Sequence, residues 1–285
     1  MLFDIAMKLA RKSLGSGLYD RISYNWLGRR RHYERLETYS AIHRHYLEQG
    51  LDFRGKTVLE VGAGLQYFTA LYMLAGGAAK VILVEPKLTY TRETLLRFLA
   101  EFNEGSPKPL RAEDVESQIA CYQDLSAIPA EGPGVADLMC SFTVLEHVRD
   151  LPGFFSLSAR LLKPGGRAYH LVDLSDHTYQ VFARFRMLSG LNSARALYHL
   201  RYSKRMFDLL NDPKCYMNRA LMPDYLRLAA ANGFRIVSAV PRPYPGRVRV
   251  HPELLGGAAA AAETLNITTL ALTLERPAGN AGTTA

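Results

Sequence analysis

The stretch Val58-Leu59-Glu60-Val61-Gly62-Ala63-Gly64 decides the fold. Thr57–Val61 is a short apolar run rich in β-branched residues, and it reads as a strand. Two glycines follow at once. They allow a turn in which backbone approaches a ligand closely, because glycine has no Cβ to stand in the way. Residues 66–75 then read as a helix ended by Gly76-Gly77, and Lys80–Val84 as a second strand. That strand runs into Glu85-Pro86. An acid there, about 20 residues past the glycine turn, is placed to accept hydrogen bonds from both hydroxyls of a ribose.

The alternation continues outward. Residues 89–103 read as a helix, followed by a Gly/Pro loop, a third strand at 119–122 and a fourth at 137–141. A helix at 151–162 is stopped by Lys163-Pro164-Gly165-Gly166, and a fifth strand follows at 168–174. A helix at 223–232 with Gly233 as its cap leads to strands at 234–240 and 268–274. This pattern predicts an α/β fold: a Rossmann-like, seven-stranded, mostly parallel sheet with helices on both faces. Ligands of such sheets lie beyond the carboxyl ends of the strands, where strand order reverses.

The rhythm breaks at 176–220, which carries aromatics and arginines but no clear strand. This segment is expected to be a helical insertion after strand 5, a lid over the acceptor site. The core then spans 51–175 and 221–276, with an N-terminal helical extension over 1–50 and a flexible tail over 277–285. Within the extension, 31–49 reads as a helix. Residues 2–14 place Leu2, Ile5 and Leu9 at helical spacing beside Lys8, Arg11 and Lys12. Such a segment either packs on its own domain or touches a membrane surface.

Composition narrows the class. The 285 residues are 48% hydrophobic and 22% charged, ordinary for a protein with a sizeable core. No apolar run approaches the roughly 20 residues needed to span a bilayer. Asp4 and Lys8 interrupt the only N-terminal stretch that resembles a signal peptide. The cysteines Cys121, Cys140 and Cys215 show neither disulfide nor zinc spacing. A cytoplasmic protein is expected, at most peripheral to the membrane's inner face. The formal charge of +8 is uneven: residues 184–250 hold 13 Lys/Arg against 3 Asp/Glu, a net of +10. That segment either faces an anionic partner or is a solvated basic surface. Arg29-Arg30-Arg31 is short and is followed by Glu34 and Glu37, so no nucleic-acid partner is expected.

A dinucleotide site uses the same strand-turn-acid logic, but its third glycine would fall at Tyr67, which breaks that fingerprint. Glu60, before the first glycine, also suits an ammonium group better than a pyrophosphate. Taken in order, several segments instead resemble the class I S-adenosylmethionine-dependent methyltransferases. These are Leu59-Glu60-Val61-Gly62-Ala63-Gly64, Val84-Glu85-Pro86, Asp124-Leu125 and Asp137-Leu138-Met139-Cys140-Ser141. Val144-Leu145-Glu146-His147-Val148 and Leu161-Leu162-Lys163-Pro164-Gly165-Gly166 complete the series. The resemblance covers 51–175 well and 223–275 in outline. It implies S-adenosylmethionine as cofactor, with Glu60, Gly62 and Gly64 around its methionine moiety and Glu85 on its ribose. Asp124 would face the adenine amino group, Leu125 would donate a backbone N–H to the ring, and Ser141 and Phe142 would line the methionine end. Gln66 departs from the third glycine that many members carry, which narrows the loop.

His147, Asp173 and His177 stand at the ends of the fourth and fifth strands and are the catalytic candidates. His147 either touches and deprotonates an acceptor or only packs beside the cofactor. Asp173, Asp176 and His177 suit a general base, a substrate clamp or metal ligands, or simply cap a strand end. No metal site is assigned from sequence. Arg184, Arg186, Arg195, Arg201, Lys204, Arg205 and Arg219 suit phosphate or carboxylate groups. The expected reaction is O-methylation of an anionic small-molecule or glycan-intermediate acceptor. The alternatives are O- or N-methylation of an aromatic, quinone-type or secondary metabolite packed on Phe182, Phe185, Tyr198 and Tyr202, or cofactor binding without turnover. Oligomeric state is left open.

Overall fold

A computed structural model describes residues 36–64, 66–87, 91–129, 132, 134–177, 196–211, 216–246, 248–254 and 265–278. The expected helix at 2–14, Arg184, Arg186, Arg195, Phe182, Phe185, Cys215 and most of the tail lie outside these residues.

The described elements, in order, begin with α1 (Leu36–Glu48), β1 (Thr57–Val61), α2 (Phe68–Ala75), β2 (Lys80–Val84), α3 (Arg92–Gly105) and α4 (Ala112–Gln118). There follow β3 (Ile119–Tyr122), β4 (Ala136–Phe142), α5 (Leu151–Leu161) and β5 (Leu162–Asp173). The chain continues through α6 (Lys204–Leu210), α7 (Met222–Ala231), β6 (Arg235–Pro243) and β7 (Ile267–Glu275). The seven strands form one sheet in the order β3-β2-β1-β4-β5-β7-β6. β1 pairs in parallel with both β2 and β4, and only β7 runs antiparallel to its neighbours. Strand order therefore reverses between β1 and β4, the place where such sheets bind ligands.

Alternation along β1 explains the two layers. Val58 packs with Val81, Leu83, Leu138 and Cys140 under α1, α2 and α3. Leu59 and Val61 join Ile82, Met139 and Val172 under α5 and α7. A parallel strand buried on both faces needs apolar residues at nearly every position, and β1 and β2 each bury four of five residues. Gly233 has φ +78 just past α7, so it ends that helix in the left-handed region, as expected.

Two elements differ from the sequence reading. α4 lies where a loop was expected. It buries only Val115, so it carries no apolar periodicity to reveal it. β5 begins at Leu162, six residues early, because α5 ends before Lys163-Pro164-Gly165-Gly166 and Leu162 pairs at once with Ala136 of β4. The same motif braces the sheet. Asp137 accepts from the Thr57 amide at 2.8 Å and from Lys163 Nζ at 2.8 Å, tying together the starts of β1, β4 and β5. After β5 the described residues contain a 3₁₀ turn at Tyr198–Arg201 and α6.

His170 of β5 is fully buried beside Phe154 of α5, with Ser141 Oγ 2.8 Å from its Nδ1. Burial pushes its pKa from the usual 6.5 down to about 3. The unfolded chain therefore takes up a proton on this ring below about 6.5, while the native chain does not. The stability contributed by the neutral ring is complete above that pH and is lost as pH falls toward 3, by up to about 1.4 kcal/mol per pH unit. A His170→Phe variant is expected to lose stability less steeply than the parent between about pH 6.5 and 4 in urea titrations. Parallel curves for the two proteins would exclude this role.

Candidate functional site

The carboxyl ends of β1, β2, β4 and β5 meet at one edge of the sheet, and the residues singled out from sequence gather there. The glycine turn leaves β1 with φ +77 at Gly62 and +73 at Gly64, both in the region that favours glycine. The Gly62 amide donates to the Val84 carbonyl at 2.8 Å, which sets the turn beside Glu85. A Cβ at Gly62 would lie 2.2 Å from Val144 Cγ2, in the loop after β4. The first glycine thus admits the chain's own neighbouring loop. At Gly64 a Cβ would come within 3.2 Å of Tyr39 Oη on α1.

Glu60 is 3% exposed, on the α1 and α2 side of β1. Thr69 of α2 donates its hydroxyl hydrogen bond to Glu60 Oε2. Tyr46 of α1 and Cys140 of β4 face the same carboxyl. Burial raises its pKa to about 7. Glu85 follows β2, half-buried, and accepts the Lys87 amide at 3.1 Å. Asp124 is exposed and caps the 3₁₀ turn at Leu125–Ala127 by accepting the Ser126 amide at 2.7 Å, while Leu125 is buried. Ser141 directs its hydroxyl toward His170, 2.8 Å from its Nδ1. Phe142 projects to the opposite face, its ring centre 5.5 Å from that of His45 on α1.

A second group lies at the ends of β4 and β5. β4 leads through Thr143, a non-glycine residue at φ +52, into a 3₁₀ turn at Leu145–His147. The Tyr216 carbonyl accepts from His147 Nδ1 at 2.6 Å. The His147 and His177 rings stand 4.8 Å apart, and His177 Nε2 is 3.6 Å from Asp173 Oδ2. The three catalytic candidates are thus brought into one cluster from two strand ends. Glu146 joins them and is 2% exposed, with its pKa pushed up to about 8 by burial. Its ligating atoms and those of His147 and His177 lie within 4.8 Å of one another, the one such His/Cys/Asp/Glu group among the described residues.

Residues 216–220 clasp this turn. Asn218 donates its amide to the Glu146 carbonyl at 2.7 Å and its side-chain nitrogen to the carbonyls of Leu145 and Val148. Glu146 sits inside the quoted motif Val144–Val148 and Asn218 stands next to the quoted Arg219, yet neither received a role from sequence. Nothing in one sequence shows that two segments about 70 residues apart meet. Of the expected anion-binding cations, Lys204 pairs with Asp208 and Arg201 lies over the Tyr198 ring. Arg219 lies over Phe207 and donates Nη1 to the Ser203 carbonyl, while its Nε and Nη2 are buried without a hydrogen-bond partner. Tyr202 packs in a small core with Phe207, Leu210 and Met217.

A family model described as a methyltransferase domain matches residues 30–239. A ubiquinone biosynthesis O-methyltransferase from Azotobacter vinelandii is 26% identical over 152 residues, 53% of this chain and 59% of that protein. Its counterpart from Pseudomonas paraeruginosa is 23% identical over 154 residues, again 53% of this chain and 59% of the relative. The matched stretch thus spans under two thirds of these relatives' length. A geranyl diphosphate C-methyltransferase from Streptomyces coelicolor A3(2), solved with Mg2+, geranyl diphosphate and S-adenosyl-L-homocysteine, superposes with a TM-score of 0.50 at 14% identity. That superposition covers 84% of this chain and 80% of that one, and shows the shared fold. No helix among the described residues is long and apolar enough to cross a membrane.

Proposed function

Since this chain belongs to the methyltransferase-domain family, as a class I S-adenosylmethionine-dependent enzyme, we propose that it methylates a hydroxyl oxygen of a small acceptor bearing an anionic group. S-adenosylmethionine supplies a methyl group already activated on a sulfonium. The chain's own work is to hold the two reactants in line at near-attack distance, an effect worth up to about 7–11 kcal/mol. The observation that carries the reading is the cluster of His147, Asp173 and His177 at the sheet edge that also holds the glycine turn. An oxygen nucleophile gains from losing its proton during attack, and these side chains are suited to bind and acidify a hydroxyl.

Gly62 and Gly64 cradle the methionine end in this reading, with Glu60 behind them and Glu85 on the ribose. Asp124 and Leu125 meet the adenine. Phe142 borders the methionine end, and Ser141 does so through its backbone, because its hydroxyl is engaged by His170. Of the segment 176–220, the described residues 216–220 face the acceptor side of the core of 51–175 and 221–276 through their clasp on the turn after β4, while 178–195 and 212–215 lie outside the described residues. Glu60 is neutral below about 7, and the cofactor's ammonium favours the ionised carboxylate. The affinity for S-adenosylhomocysteine is therefore expected to rise with pH through about 7 and level off above it, with calorimetry as the readout. A Glu60→Gln variant should bind with little dependence on pH.

Arg219 supports the anionic acceptor, since buried guanidinium nitrogens without partners favour a phosphate or carboxylate oxygen. An Arg219→Met variant should raise the acceptor's KM by about tenfold or more and leave S-adenosylhomocysteine affinity alone. A second reading has an aromatic, quinone-type acceptor, and the two O-methyltransferase relatives favour it. Incubation with methyl-labelled S-adenosylmethionine and fractionated metabolites separates the two. Label in sugar phosphates or other anionic hydroxyl compounds supports the first reading, label in phenols the second, and label on nitrogen or carbon alone excludes both.

A further inference from the structure

Glu146 is a carboxyl group almost wholly shut off from water, beside the Asp173 backbone and the His177 ring. Its side chain is 2% exposed, and neither carboxylate oxygen has a hydrogen-bond partner. A carboxyl group buried there gives up its proton readily only where a cation meets it. What surrounds it is a set of metal donors. One Glu146 oxygen, one His147 nitrogen and one His177 nitrogen lie within 4.8 Å of one another. Two imidazoles and a carboxylate form the donor set of divalent first-row ions such as Zn2+.

Each ring also has an oxygen partner that bears on where its proton sits. The Tyr216 carbonyl, 2.6 Å from His147 Nδ1, fixes the proton on that nitrogen and places the lone pair on Nε2. Asp173 stands 3.6 Å from His177 Nε2 and favours the proton there, leaving the lone pair on Nδ1. Carbonyl and carboxylate partners of this kind set the tautomer of metal-bound histidines and raise their basicity. Bonds of about 2.0–2.1 Å put neighbouring ligand atoms about 3.4 Å apart. Closing from 4.8 Å is within the reach of side-chain rotation.

We propose that Glu146, His147 and His177 form a three-ligand site for a divalent first-row metal ion of the zinc type, with Asp173 as the carboxylate that positions His177. Three protein ligands leave a coordination position open, as metal sites that bind substrate do. The proposal deepens the O-methylation reading and rests on it for its role. The acceptor hydroxyl binds the ion at the open position, its proton leaves to solvent, and the ion stabilises the resulting oxyanion.

The test titrates the full chain, stripped with chelator and dialysed, with Zn2+ by calorimetry and with Co2+ by visible absorption. One equivalent of each is expected to bind, with Co2+ showing the ligand-field bands of a nitrogen–oxygen site. Glu146→Gln and His177→Ala should each lose those bands. Asp173→Asn should weaken Zn2+ binding by about 10- to 100-fold. S-adenosylhomocysteine titrations of every variant check that the cofactor site is intact, and if a variant fails that check the cobalt spectrum of the unaltered protein decides. Absence of stoichiometric binding by the parent, or binding unchanged in both ligand variants, overturns the site. Stripped protein that binds no ion yet transfers methyl to a hydroxyl acceptor overturns the metal and leaves the O-methylation reading standing. Protein that binds the ion as expected while methyl label reaches no oxygen supports the site and removes that reading.

Discussion

A Gly62→Ala substitution is expected to cost about 2–5 kcal/mol of stability and to weaken S-adenosylhomocysteine binding with it. Two effects add. Alanine at φ +77 is strained by about 1–2 kcal/mol relative to glycine. The new methyl group would also lie 2.2 Å from Val144 Cγ2, an overlap that neither group escapes without moving the loop after β4. Overpacking of this kind costs about 1–3 kcal/mol. A second substitution separates the terms. Val144→Ala removes the two Cγ contacts, leaves Cβ at 3.2 Å and leaves the backbone strain, so the double variant should recover part of the loss in urea unfolding. If the single variant unfolds at the parent's midpoint, the loop after β4 does not press on the turn as described.

The second large effect lies in turnover. His177→Ala and His147→Ala are each expected to reduce kcat/KM by about 10²–10⁴-fold, since either removes one member of the group that activates the acceptor hydroxyl. Both rings lie at the ends of β4 and β5, so S-adenosylhomocysteine affinity should stay near the parent's value. Because the two rings face one another 4.8 Å apart, their losses should not be additive. The double variant should fall little below the weaker single one in a methyl-transfer assay. Additive losses would mean that the two histidines act separately.

The frame of the fold was legible because local chemistry repeats it. β1, β2, β3 and β7 stand within a residue or two of their expected bounds, and the glycines after β1 mark where the chain turns out of the sheet. Local signals failed where burial is sparse or where one motif does two jobs. α4 buries a single residue and was invisible to periodicity. Lys163-Pro164-Gly165-Gly166 reads as a helix stop, and α5 does end before it, but it also lies within β5 and places Lys163 on Asp137.

The candidate site divides in the same way. Glu60, Gly62, Gly64 and Glu85 belong to consecutive strand ends, so chain order already places them on one edge. The partners that give them their properties come from elsewhere: Tyr39 against Gly64, Val144 against Gly62, and Thr69 and Tyr46 around Glu60.

By itself the sequence determined the strand-turn-acid order, and with it the sheet, because alternation and glycine turns act over a few residues; the class of cofactor came with the family resemblance that those motifs carry. Only the tertiary structure decided that Glu146 is buried against His147 and His177, that Tyr216 and Asn218 brace that turn, and that Arg219 is enclosed. Each of those facts depends on segments far apart in the chain arriving at one place, where exclusion of water makes a charge or a lone pair matter far more than its residue type foretells.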